Sequence, residues 1–149
     1  MPFLASVGGR SGRFGRPRRR TVPYTWSAKS VAVLLLVEGV GILVYWAKFY
    51  LDGNLPDGLY TLSGGSYIAF HIAAEVVVAL AAIAGGLGIL RGREWGMAAS
   101  LVAVGGLLYT GINSLSWSLP AGDSLTRVFG AVAGLALLSL IGLHFGRRR

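Results

Sequence analysis

The sequence predicts an all-α protein, a four-helix transmembrane bundle that is left-handed and up-down-up-down. Three observations carry this. The chain of 149 residues is 54% hydrophobic and only 13% charged, too little polar surface for a soluble domain of this size. Its apolar residues come in four blocks, each near the ~20 residues that span ~30 Å of hydrocarbon. Its basic residues gather in segments that fall on one side of a four-span chain.

The first 28 residues differ from the rest. They carry Arg10, Arg13, Arg16, Arg18, Arg19 and Arg20, interspersed with Gly and Pro, and no acidic residue. Without apolar periodicity this reads as a flexible cytoplasmic tail. A cleaved secretory signal is not expected, because the first apolar stretch has full span length and contains Glu38. Transit peptides share the Arg-rich, acid-poor composition.

The first block runs from about Lys29 to Tyr50, the second from about Ser66 to Leu90. The third runs from about Trp95 to Trp117 and the fourth from about Ser124 to Phe145. Residues 29–146 thus form the membrane domain, and 147–149 a basic C-terminal tail. The links Arg91–Glu94 and Ser118–Asp123 are short, which makes helices two and three, and three and four, antiparallel neighbours. Pro56, Asp57 and Gly58 mark a turn in the longest link, Leu51–Gly65.

Twelve of the 14 basic residues lie in the region up to Lys29, at Arg91 and Arg93, or in Arg147–Arg149. The opposite side holds Asp52, Asp57 and Asp123. The positive-inside rule then places both termini in the cytoplasm, N-in and C-in, for a multi-pass protein of the cell (plasma) membrane. Trp26, Tyr50, Trp95 and Trp117 sit where an interfacial aromatic belt belongs. Gly130 and Gly134, Ala81 and Gly85, and Ala82 and Gly86 form small-xxx-small pairs, which serve close packing within the bundle or between copies in a homo-oligomer.

There are no cysteines, which excludes disulfides, thiolate metal sites and a cysteine nucleophile. Gly85, Gly86 and Gly88 lie inside an apolar span and are not a phosphate loop. With no catalytic pattern present, the reading is non-enzymatic. The net charge of +8 points to lipid rather than nucleic acid, since the charges stand beside hydrophobic spans. Arg18, Arg19, Arg20, Arg91 and Arg93 are the candidates for anionic headgroups at the cytoplasmic face.

Glu38 lies near the bilayer centre in helix one, and Glu75 about nine residues below the outer end of helix two. A carboxylate at such depth costs several kcal/mol unless protonated, paired or wet. His71 precedes Glu75 by four residues, so both share one helix face. Tyr109 and Asn113 repeat that spacing on helix three, flanked by Thr110 and Ser114, and their depths match Glu75 and His71. The expected site is therefore His71, Glu75, Tyr109 and Asn113, with Glu38 as its floor, taking a proton or a small ligand from the outer side. The alternative is that these polar groups only hold helices together. His71, Glu75 and Glu38 are weak candidates for a divalent metal. Haem is not expected, because His71 and His144 differ in depth by about 20 Å over about 14 residues of rise.

The segments HIAAEVVVAL, GGLGILRGREWG and GGLLYTGINSLSW, between His71 and Trp117, resemble small four-span bacterial and archaeal membrane proteins of unassigned function. The matching positions are His71, Glu75, Gly85, Gly86, Trp95, Gly96, Tyr109, Thr110, Asn113 and Ser114. That resemblance implies a shared four-helix bundle and brings no activity with it. In size and topology the chain is more loosely similar to DoxX-like four-helix membrane proteins, which implies a quinone-linked redox subunit. A role as accessory subunit of a membrane complex is a further expectation.

Overall fold

A computed structural model describes residues 21–53, 66–121 and 125–146. Its regular elements are four helices: α1 (Trp26–Leu51), α2 (Ser66–Leu90), α3 (Glu94–Ala121) and α4 (Leu125–His144). No strand occurs among the described residues. Each helix is long and apolar enough to cross a membrane. The exterior fits that solvent. Val33, Val37, Val40 and Val44 of α1, Val77 and Leu80 of α2, Val102 and Ile112 of α3, and Leu137, Leu138 and Ile141 of α4 all face outward. An apolar rind of this extent is compatible with lipid and costly in water.

The helices alternate in direction. Residues at the end of α2 meet the start of α3, where the backbones touch at Gly88 and Gly96. A Cβ on Gly96 would overlap the Gly88 backbone, so glycine is what permits this approach. Further along, Val78 lies on Gly106, and Ala133 of α4 on Gly111 of α3. Helix α1 packs antiparallel on α2, with Ala32 and Leu36 on Gly86. The core between the helices is built from small and branched residues: Ala28, Ala32, Leu35, Ala82, Ile89, Ala103, Val104, Leu107, Ala136 and Leu143.

We call the end holding Trp26, Leu90, Glu94 and His144 proximal, and the other end distal. The proximal end is tied together. Thr25 caps α1 by accepting from the Ala28 N–H at 3.4 Å, which satisfies one of the unpaired amides of the first turn. Its hydroxyl also donates to the Gly146 carbonyl at 3.1 Å. The Val22 N–H donates to the Gly92 carbonyl at 2.8 Å, and the Tyr24 hydroxyl to that of Arg93 at 2.8 Å. Gly92 adopts φ +63°, which glycine accepts without strain in the tight link between α2 and α3. Residues 21–28, expected in the flexible tail, are thus structured. Helix α1 begins at Trp26 rather than Lys29 because Thr25 supplies the cap. Helix α3 likewise runs past Trp117 to Ala121.

Near the proximal end α1 meets the end of α4, where Val31 packs on Gly142 and Ala28 on Gly146. Arg10 to Arg20, the turn at Pro56–Gly58, Asp123 and Arg147–Arg149 lie outside the described residues.

Candidate functional site

In the distal half of the bundle, where Tyr45 and Trp46 of α1 stand near Leu125 and Val128 of α4, lies a cavity of about 480 Å³. Four helices build its wall. Helix α1 contributes Glu38, Gly41, Ile42, Tyr45 and Trp46, and α2 contributes His71 and Glu75. Leu107, Thr110, Gly111 and Ser114 come from α3, and Leu125, Val128, Phe129 and Val132 from α4. Glu38, Ile42 and Trp46 recur every four residues, which puts them on one face of α1.

The Glu75 carboxylate is held from two sides. The Trp46 indole N–H of α1 donates to its Oε2 at 2.5 Å. His71 Nε2 stands 3.3 Å from its Oε1, one turn away on the same helix. The side chains of His71 and Glu75 are only 20% and 12% exposed. The Trp46 ring meets the His71 ring edge-on at 6.4 Å and is flanked by Tyr45 at 5.3 Å and Phe49 at 5.4 Å. This aromatic group fixes the donor over the carboxylate.

Glu38 is different. It lies two turns nearer the proximal end of α1 than Trp46, and both its carboxyl oxygens are buried without a hydrogen-bond partner. Its neighbour Gly39 packs against the Ala79 carbonyl of α2, and the Glu38 side chain lines the cavity. A buried carboxyl without a partner is expensive, which makes it the least satisfied polar group of the site.

Thus the structure brings Glu38, His71 and Glu75 to one cavity. It does not bring Tyr109 there. Tyr109 is 67% exposed on the outer face of α3, and Asn113 is half-buried beside the cavity wall rather than in it. Their flanking residues Thr110 and Ser114 line the cavity instead. One residue along a helix is a rotation of about 100°, so a stripe chosen by depth alone can face the wrong way. The Thr110 hydroxyl turns back onto the Leu107 carbonyl at 3.3 Å. Trp46 was not anticipated, although its spacing from Glu38 on α1 carried the signal.

No three His, Asp or Glu side chains among the described residues converge to hold a metal ion. His71, Glu75 and Glu38 therefore share a cavity without forming a ligand set. Arg91 and Arg93 sit at the proximal turn between α2 and α3, Arg91 exposed and Arg93 half-buried. Arg18, Arg19 and Arg20 lie outside the described residues.

A family model described as "Domain of unknown function (DUF8058)" matches residues 26–145, which is every helix of the bundle. The chain belongs to the DUF8058 family. This agrees with the expectation of a family without an assigned activity, and nothing in it points to the DoxX-like group. No curated protein and no solved structure matches the chain.

Proposed function

We propose that this protein is a small integral membrane protein that binds a small ligand, or exchanges a proton, in a polar site within the bilayer. The observation that carries the reading is the cavity between α1 and α4, into which two carboxyl groups and an imidazole face from otherwise apolar helices. Ionisable groups are rare in apolar spans and face pathways or binding cavities when they occur. If these groups only held helices together, each would be paired within the bundle. Glu75 is so paired, but Glu38 is not.

In this reading both termini are cytoplasmic, in the plasma membrane, and the cavity lies in the outer half of the bilayer. The charge asymmetry supports that orientation. Arg91, Arg93 and the N-terminal arginines face anionic headgroups on the cytoplasmic side. Trp46 and His71 hold Glu75 in place, while Glu38 is the group left for the ligand or proton. Thr110 and Ser114 supply hydroxyls at the back wall. Binding without catalysis is enough to account for these residues, either in a free-standing protein or in an accessory subunit of a membrane complex.

The test is labelling with an apolar carbodiimide in native membranes, read residue by residue by mass spectrometry. Glu38 is expected to take the label. Gly41→Leu, at a cavity-lining position where an added Cβ meets nothing within 4 Å, is expected to slow it by filling the space. Labelling of Asp52 but not of Glu38 would mean that no lipid-soluble molecule reaches the cavity, and the reading would fail.

A further inference from the structure

We infer that the cavity between α1 and α4 takes a lipophilic amine, its protonated nitrogen beside Glu38 and its apolar body against α4. The inference rests on the binding-site reading above and names the class of ligand.

The cavity is unbalanced in charge. Two carboxyl groups and one imidazole line the cavity, and no Lys or Arg does. The cations placed nearest in sequence are not available to it. Lys48 is paired with Asp52 at 2.5 Å on the exposed side of α1, and Arg127 is exposed on α4 and does not line the cavity. Positive charge is what the bundle itself does not supply there.

Its hydrogen bonds are unbalanced as well. Trp46 and His71 already serve Glu75, and the Thr110 hydroxyl serves Leu107. The Tyr45 and Ser114 hydroxyls serve as donor or acceptor alike. The Glu38 carboxyl keeps two buried oxygens without a partner. A ligand that brings N–H donors answers this, and an ammonium does so with a charge-assisted bond. A quinone or another acceptor-only molecule does not.

The remainder of the wall is hydrocarbon. Leu125, Val128, Phe129 and Val132 of α4 and Ile42 and Leu107 opposite are apolar. They suit a compact hydrocarbon body, and the Tyr45 and Phe129 rings suit a neighbouring cation. Tyr45 of α1 and Val128 of α4 line the cavity and are also exposed on the outside of the bundle, so such a ligand enters sideways from the lipid between them.

The experiment uses the full chain in lipid nanodiscs, titrated calorimetrically with 1-aminoadamantane and with its neutral isostere 1-adamantanol, against empty nanodiscs. The expected result is saturable binding of the amine, roughly tenfold or more tighter than the alcohol. Glu38→Gln should remove that preference, and a helical circular-dichroism spectrum and unchanged elution in lipid nanodiscs should show that the variant is folded. Gly41→Leu should weaken binding of both ligands. Equal affinity for amine and alcohol, both weakened by Gly41→Leu, would overturn the amine inference and leave the binding site standing. Saturable binding of neither would overturn both.

Discussion

The indole nitrogen of Trp46 lies 2.5 Å from Oε2 of Glu75, so α1 and α2 are joined by a hydrogen bond inside the apolar part of the bundle. His71 approaches the other oxygen of the same carboxylate at 3.3 Å. Glu75 is therefore a fixed part of the wall. Glu38, which has no such partner, is the group with capacity to spare.

That distinction is measurable. Trp46→Phe keeps an aromatic ring but removes the donor, and should lower stability by roughly 0.6–2 kcal/mol, the range for hydrogen bonds between membrane helices. A double-mutant cycle with Glu75→Gln, followed by unfolding in mixed micelles, should show coupling of similar size. Additive effects would mean that the two side chains do not interact in the membrane.

The tight seam between α2 and α3 makes a second prediction. Gly96→Ala would drive a methyl group into the Gly88 backbone and should cost about 1–3 kcal/mol. Gly134→Ala, where a Cβ meets nothing within 4 Å, should be neutral or stabilise by up to about 1 kcal/mol through helix propensity. If Gly134→Ala were instead strongly destabilising, the outer face of α4 would be packed against a second copy.

Amine binding should depend on pH in one direction. The titratable groups facing Glu38 across the cavity are His71 and Glu75 from α2 and Tyr45 from α1, while α3 and α4 contribute none. As pH falls, protons compete with the ammonium for the carboxylate that holds it. Calorimetric affinity should therefore weaken steadily toward acid pH, and Glu38→Gln should flatten the dependence.

Orientation is testable without background, since the chain has no cysteine. A single cysteine at Gly53, just beyond α1, should react with an impermeant maleimide added to intact cells. One at Thr21 should react only after lysis. The reverse pattern would place both termini outside.

Much of this was legible in the sequence. Four apolar blocks gave four helices, and the block from Ser66 to Leu90 coincides with α2. The pair His71 and Glu75 was readable because four residues on a helix is a contact distance. What escaped was rotation. Depth can be counted along a sequence, but the face that α3 turns inward is set by glycine contacts such as Gly106 on Val78 and Gly111 on Ala133. Those contacts put Thr110 and Ser114 inside and Tyr109 outside. The start of α1 escaped for a similar reason, since Thr25 caps a helix whose first turn looks like tail.

The most direct measurement is a high-resolution map of the protein in lipid nanodiscs, with mass spectrometry of the extracted small molecules. Non-protein density is expected between α1 and α4, with a polar head at Glu38, together with an amine-bearing lipophile in the extract. A bundle in which α1 and α4 close along their whole length, with Glu38 paired to another side chain and no density between them, would contradict it.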